Sequence, residues 1–132
     1  MELQGDAMFE ADQASRGMGI EVVERREGNA TACMTVRPDM VNGHGMAHGG
    51  FVFTLADTAF AFACNSPGRS AVAASAEITF VSPAQVGEVL VAEASMRTRF
   101  GRNGIYDVTV RAGDRVIAEF RGRSHEIARP SA

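Results

Sequence analysis

The spacing of apolar residues changes its period twice along the chain. Over residues 2 to about 16 apolar positions recur at roughly helical spacing, which predicts a short amphipathic helix that ends at Gly17 and Gly19. Residues 20–26 and 30–37 are strand-like, and the short segment between them predicts a hairpin.

A continuous apolar run, residues 51–63, follows a glycine-rich loop. It has no polar face, so a helix formed by it must be buried on nearly all sides. We expect residues 65–68 to end this helix. The run is shorter than the roughly twenty apolar residues that cross a bilayer, and Asp57 lies inside it, so no membrane association is expected.

Beyond this helix the period changes to two, which is typical of strands. The alternating apolar positions are Val72, Ala74, Ala76, Ile78 and Phe80; Leu90, Ala92, Ala94, Met96 and Phe100; Tyr106, Val108 and Val110; and Val116, Ala118 and Phe120. The short turns GRNG and AGD indicate antiparallel hairpins. One helix that must be enclosed and a curved antiparallel sheet together predict a single α+β domain over residues 1–132, with the sheet wrapped around the helix.

Composition narrows the possible partners. The 132 residues include 45% hydrophobic and 22% charged residues, which is typical of one globular domain. A net charge of −3 argues against nucleic acid as a partner. Cys33 and Cys64 lie far apart, so we interpret both as small buried hydrophobic residues rather than as a zinc or disulfide site. The acidic N-terminus does not resemble a signal peptide, so we expect a cytoplasmic protein.

Asp57 is the residue that composition does not explain. A buried carboxylate is costly unless it is paired or hydrogen-bonded. One interpretation is structural, with Asp57 bonded to Thr54 or Thr58. The other is functional, because the glycines just before the helix leave its first amides free to bind an anion, and the Gly49 amide could stabilise an oxyanion.

Two histidines precede the helix in the segment NGHGMAHGG. His44 and His48 are four positions apart, but the glycines between them argue against a continuous helical face. No third ligand is near in sequence, so we expect no metal site, and no cofactor. A loop histidine bonded to backbone is the alternative for His48.

The chain resembles the hotdog-fold acyl-coenzyme A thioesterases, specifically the phenylacetate-degradation type. The resemblance rests on Asn42, His48-Gly49-Gly50 and Asp57 at their characteristic spacing, and on the segment LADTAFAFACNS, residues 55–66. It implies a curved antiparallel sheet around one central helix. It also implies hydrolysis of aryl-acetyl or related acyl-coenzyme A thioesters, with Gly50 beside the substrate.

The resemblance also implies roles for five residues. Asp57 would activate the attacking water or attack the thioester itself, and the Gly49 amide would polarise the carbonyl. Asn42 would hold the attacking group or the loop, and His48 would help to seat the thioester. A hydroxyl on the following strand, matched by Ser75, would position the water.

Candidates for binding the rest of the substrate lie in two places. For the nucleotide phosphates they are Arg97 and Arg99 at a strand end and Arg102 and Asn103 in the GRNG turn, and for a wall they are Ser82 and Pro83 in the loop of residues 82–87. The alternative is that these arginines are solvated surface charges. The phenylalanines of the helix could line an aryl pocket or belong to the core.

Gly49 and Asp57 are eight positions apart, which is roughly 12 Å along one helix at about 1.5 Å per residue. They cannot both reach one carbonyl from the same helix. If both act on one substrate, Asp57 must come from a second chain across a two-fold axis. The resemblance likewise implies a homodimer with shared sites, and a dimer of dimers.

Two other functions are compatible with this fold. A non-catalytic acyl-coenzyme A-binding domain could keep the glycine-rich loop but has no use for a buried carboxylate. A hydratase or dehydratase would need an acid or histidine placed beside the carbonyl to move a proton. The chain has no G-x-S-x-G segment, which argues against an α/β-hydrolase.

Overall fold

A six-stranded antiparallel sheet and one long helix dominate the computed structural model, which describes residues 4–65 and 69–127. The helices are α1 (Gln4–Ala11), α2 (Gln13–Gly17) and α3 (Gly49–Cys64), and a turn of 3-10 helix spans Pro38–Met40. The strands are β1 (Glu21–Arg26), β2 (Asn29–Thr35), β3 (Ala71–Phe80), β4 (Val89–Phe100), β5 (Asn103–Ala112) and β6 (Arg115–Glu126).

The strand order is β1-β2-β4-β5-β6-β3, and all neighbours are antiparallel. Helix α3 contacts all six strands, which confirms that the sheet wraps around it. Strands β1 and β3 form the two edges. No helix of the described residues is long and apolar enough to span a membrane.

The core lies between α3 and the inner face of the sheet. Leu55, Ala56, Ala59 and Phe62 are fully buried. Phe60 packs closely against β6, because a Cβ added at Gly122 would lie 2.8 Å from its ring. Only glycine allows the sheet to approach the helix at this point. The helix phenylalanines at positions 60 and 62 therefore belong to the core.

Asn65 joins the end of α3 to the start of β3, as the helix end predicted there requires. Its Nδ2 donates to the Ala61 and Ala71 carbonyls at 2.8 and 3.2 Å, and its Oδ1 accepts from the Ala71 N–H at 3.0 Å. The other expected helix-ending residues, 66–68, lie outside the described residues.

The prediction of one N-terminal helix over residues 2–16 is wrong in one respect, and residues 1–3 lie outside the described part. The segment forms two short helices that break at Asp12. The Asp12 carboxylate caps α2 by accepting from the Ser15 N–H at 3.0 Å. An aspartate satisfies a free amide at a helix start better than it supports a helix interior.

The hairpins are confirmed, but the predicted alternation fails at several positions of β3, β4 and β6. A β-bulge between Ala73 and Ser75 moves Val72, 49% exposed, off the inner face of β3. A second bulge, between Met96 and Thr98, leaves Phe100 exposed. On β6 the buried residue is Ile117 rather than its neighbour Val116. Each bulge adds one residue and so exchanges the two faces of a strand.

The two cysteines are free. Cys64 is buried as predicted, and burial raises the pKa of its thiol to about 12. The prediction for Cys33 is only partly right, because this residue is half-buried in β2. Burial and the nearby Glu21 carboxylate raise the pKa of the Cys33 thiol.

Candidate active site

His48 caps the N-terminus of α3. Its extended backbone ends the preceding loop, and its Nδ1 accepts from the Gly50 N–H at 2.9 Å. Its own N–H donates to the Met40 carbonyl at 2.7 Å. The ring therefore serves the helix through Nδ1, which leaves Nε2 as the nitrogen that carries the proton.

The Gly49 amide is the free donor at this helix start. The Phe51 and Val52 amides donate to the His48 carbonyl, and the Gly50 amide donates to the His48 ring. The Gly49 N–H has no acceptor among residues 4–65 and 69–127. A fixed, unpaired N–H at the positive end of a helix can bind the negative oxygen of a reacting carbonyl.

Asn42 holds the glycine-rich loop. Its Oδ1 accepts from the His44 and Met46 amides at 2.8 and 3.3 Å, and its own N–H donates to the Met46 carbonyl at 2.8 Å. Of the two roles suggested for Asn42, these contacts support the one in the loop. Nothing in the described part of the chain accepts from the Asn42 Nδ2, and Asn42 is one of the residues that line a cavity.

This cavity of about 400 Å³ opens beside the helix start. Its lining consists of Asn42, Met46, Ala47, Gly49, Val52, Phe80, Val81, Ser82, Pro83, Ala84 and Ile117. Ser82 and Pro83 thus lie in its wall, where they were expected. The Ala47 N–H donates to the Ala84 carbonyl at 2.8 Å, which ties the glycine-rich loop to this wall.

Phe80 is the cavity residue that sequence reasoning placed wrongly, as a member of the alternating apolar face. It is 53% exposed at the end of β3. A Cβ added at Gly49 would lie 2.9 Å from the tip of its ring. The aromatic ring therefore lies directly beside the free amide. A large aromatic residue at a strand end, just before a predicted wall, is the signal that could have indicated this.

Asp57 lies half-buried on α3 without a hydrogen bond to any described residue. The two threonines of the structural interpretation are bonded elsewhere. Thr54 donates to the Gly50 carbonyl at 2.9 Å, and Thr58 donates to the Thr54 carbonyl at 2.8 Å. Burial, and secondly the negative charge of Asp12, raise the pKa of the Asp57 carboxyl. The structure thus places an unpaired base in the core helix.

One chain does not bring Gly49 and Asp57 together. Both lie on the continuous helix α3, roughly 12 Å apart at about 1.5 Å per residue, and Asp57 does not line the cavity. Gly50 is exposed at the helix start, outside the cavity lining. Ser75 pairs with Arg123 on the outer face of the sheet, opposite the face that covers α3. Within one chain, this placement does not support the predicted role of Ser75 in positioning the attacking water.

The arginine candidates also lie away from the cavity. Arg99 pairs with Glu126 at 3.1 Å, and Arg97 pairs with Asp107 at 3.3 Å. The Asn103 Oδ1 accepts from Arg123 at 3.0 Å. Arg102 forms no ion pair within residues 4–65 and 69–127. In the same residues no three metal-binding side chains come close enough to hold an ion.

Comparisons with known proteins show which family this chain resembles in sequence and fold. The profile of the thioesterase superfamily matches residues 44–119. Acyl-coenzyme A thioesterase PaaI of Escherichia coli K12 is 44% identical over 122 residues, which cover 92% of this chain and 87% of that protein. Human acyl-coenzyme A thioesterase 13 is 31% identical, with 90% and 89% covered. The solved structure of the E. coli PaaI protein, from the phenylacetic acid degradation operon, superposes with a TM-score of 0.89 and covers 92% of this chain and 89% of that one.

We expect Asp57→Asn to raise the melting temperature at pH 7 by a few degrees. The raised pKa means that the folded chain holds this proton more tightly than the unfolded chain. Ionisation therefore lowers the free energy of unfolding as pH rises from the ordinary aspartate range through the folded pKa. Asparagine removes that loss. Calorimetry at several pH values should show the gain disappear in acid.

Asp114→Asn is the matched control, because Asp114 lies exposed in the turn between β5 and β6. It should not stabilise the protein at pH 7. A lower melting temperature for Asp57→Asn at every pH would contradict the unpaired state of this carboxylate.

Proposed function

The chain belongs to the thioesterase superfamily, and from this we propose that it hydrolyses acyl-coenzyme A thioesters, with phenylacetyl or hydroxyphenylacetyl as the acyl group. The products are a free carboxylic acid and coenzyme A. One observation carries the proposal: α3 holds both an unpaired amide, at Gly49, and an unpaired, half-buried carboxylate, at Asp57. A binding domain needs the first but has no use for the second.

The reaction needs only these two groups. Asp57 takes a proton from water while the water oxygen bonds to the thioester carbon, and the Gly49 N–H stabilises the negative charge on the carbonyl oxygen. The carbon–sulfur bond then breaks. The thiolate leaves readily because its conjugate thiol has a pKa of about 8.5, and it can take the proton back from Asp57. Direct attack by the Asp57 carboxylate remains the alternative first step.

A complete site requires two chains. The helix spacing separates the two groups, and β3 supplies a surface for a second copy. β3 is a ten-residue edge strand whose outer edge has no neighbour among the described residues, and Val72 and Phe80 are half-exposed on it. Such an edge can pair with another strand. Pairing of two β3 strands around a two-fold axis would run the two α3 helices antiparallel and place Asp57 opposite the partner's Gly49.

We extend this proposal to a dimer of such dimers and to the cytoplasm. Support for the compartment comes from Cys33 and Cys64, which are free thiols as in a reducing environment. We also propose that Arg102, with Arg99 and Asn103, faces the phosphates of coenzyme A. Arg102 supports this best, because the charge of Arg99 is already matched by Glu126.

Phe80 supports the choice of an aryl group. Its ring lies against Gly49, so it would flank the first carbons of an acyl group bound to the free amide. Aromatic pairs contribute about 0.5–1.5 kcal/mol beyond the area that they bury. The other cavity residues near the amide are mostly small or aliphatic, so this ring is the feature that favours a phenyl group.

The first test is a hydrolysis screen that measures release of free thiol from phenylacetyl, short aliphatic and palmitoyl thioesters of coenzyme A. We expect turnover with kcat/KM highest for the phenylacetyl ester. Asp57→Asn should lower kcat by two or more orders of magnitude, because it keeps the shape but removes the base. Binding of the esters by wild type without thiol release would instead indicate the non-catalytic function.

A second test removes the Phe80 ring. Phe80→Ala should lower kcat/KM for the phenylacetyl ester, relative to a short aliphatic ester, by about threefold to tenfold. Phe100→Ala is the matched control, because Phe100 is also half-exposed near a strand end but does not line the cavity. An equal loss for all esters in Phe80→Ala would mean that this ring does not select the acyl group.

A third test mixes two inactive variants. Gly49→Pro deletes the amide donor, and the extended His48 backbone is compatible with a following proline at the first helical position. Refolding Gly49→Pro together with Asp57→Asn should restore about a quarter of wild-type activity. Random pairing makes half the dimers mixed, and half of their sites are intact.

The phenyl ring beside position 49 must turn aside in Gly49→Pro, so its folding is checked by circular dichroism first. Mixed dimers are verified with a tag on one variant. If such dimers form and stay inactive, Gly49 and Asp57 do not meet across an interface.

A further inference from the structure

A buried hydrogen-bond network joins the N-terminal helices to α3, and the reaction above makes no use of it. Ser15 of α2 and Thr58 of α3 are only 2% and 5% exposed. Their hydroxyl oxygens lie 2.8 Å apart. The network ends at Asp12, whose Oδ2 accepts from the Ser15 hydroxyl at 2.7 Å.

The number of hydroxyl protons determines which groups of this network donate and which accept. An ionised carboxylate only accepts, so the single hydroxyl proton of Ser15 is donated to Asp12. The one hydroxyl proton of Thr58 is then available to the Thr54 carbonyl, at 2.8 Å, and to the Ser15 Oγ. The Ser15 N–H also donates to Asp12, at 3.0 Å. Ser15 therefore holds the Asp12 carboxylate in place with both its hydroxyl and its N–H, and its own oxygen lies against Thr58.

The fixed charge lies beside the helix turn that carries Asp57. Thr58 follows Asp57 directly, and Asp12 contributes, after burial, to the raised pKa of the Asp57 carboxyl. A nearby like charge disfavours ionisation and makes a carboxylate a stronger base. The cap that Asp12 forms on α2 needs only an oxygen acceptor, which asparagine would also provide, so this structural role does not account for the negative charge of Asp12.

Other titratable or charged groups lie on α3 or around it. On α3 itself they are His48 and the Cys64 thiol, and on the strands they are Tyr106 and Arg25, whose guanidinium lies over the Phe62 ring. Arg69, Arg99 and Glu126 act on the pKa of Tyr106, and Glu10 and Arg16 lie exposed in the N-terminal segment. The charge that acts on the pKa of Asp57 is that of Asp12 rather than that of any of these groups.

We propose that Asp12, anchored through Ser15 to Thr58, is a positioning residue that strengthens Asp57 as the base of the reaction. The two short N-terminal helices would then belong to the working site as well as to the core. This inference rests on the proposed thioester hydrolysis, in which Asp57 accepts the proton.

The test is Asp12→Asn, which removes the charge but keeps the shape and the ability to cap α2, since asparagine caps as well as aspartate. The acidic limb of the kcat/KM profile should move to lower pH. Below the wild-type midpoint the variant should therefore retain a larger fraction of its own plateau activity than wild type does. Asp12→Glu should return the limb toward the wild-type position.

Glu10→Gln is the matched control. It removes an exposed carboxylate from the same segment, and the only contact shown for Glu10, from Arg16, is to its backbone carbonyl. Its acidic limb should coincide with that of wild type. If Asp12→Asn changes the melting temperature or the plateau but leaves the limb in place, the role of Asp12 is structural and the inference is wrong.

A carbon-13 NMR titration of the Asp57 carboxyl separates this inference from the proposed function, because it needs no turnover. The Asp57 midpoint should be lower in Asp12→Asn than in wild type and unchanged in Glu10→Gln. If the midpoint moves but no thioester is hydrolysed, the charge coupling is established and the thioesterase proposal fails. If thioesters are hydrolysed but the midpoint does not move, only the inference about Asp12 is overturned.

Discussion

The absence of a polar face on α3 is the constraint on which the rest of the structure depends. A helix that is buried on all but one narrow side, the side of Gly50, Thr54, Asp57 and Ala61, cannot lie on a protein surface, so the sheet curves until all six strands touch it. That curvature accounts for the close approach at Gly122, and it leaves the start of α3 at the rim of the sheet. The free amide at Gly49 is thus accessible because of how the core closes.

Two groups of the helix, the Gly49 amide and the Asp57 carboxylate, are exceptions among the described residues to the rule that polar groups are satisfied. Each is costly by itself: an amide without an acceptor, and a carboxylate in a partly apolar site. Structural roles do not explain them, since His48 already caps the helix and the neighbouring threonines bond to the backbone. In the proposed reaction, the carbonyl oxygen of the substrate supplies the missing partner of the Gly49 amide, and a water molecule supplies that of the Asp57 carboxylate.

The sequence predicts the fold well and places Gly49 and Asp57 on the right helix, because both depend on short-range patterns. The apolar run, the alternation of β5 and the placement of Gly49 and Asp57 on one helix all follow from periodicity. The errors arise where the position or partner of a residue depends on a contact with a residue distant in the sequence. Nothing local indicates the bulge that turns Val72 outward, the partner that neutralises Arg99, or the position of the Phe80 ring. Asp12 was missed because capping a second helix breaks the periodic pattern.

The order of the strands has a consequence for synthesis on the ribosome. β3 leaves the ribosome early but pairs with β6, the last strand to be made. Until about residue 126 has emerged, the apolar helix lacks part of its cover and β3 has no hydrogen-bonded neighbour on either side. The nascent chain therefore exposes aggregation-prone surfaces from the completion of α3 and β3 until β6 has been made. A chain cut short before β6 loses an interior strand of the sheet, so premature termination near the end of translation would be as damaging as a break in the middle.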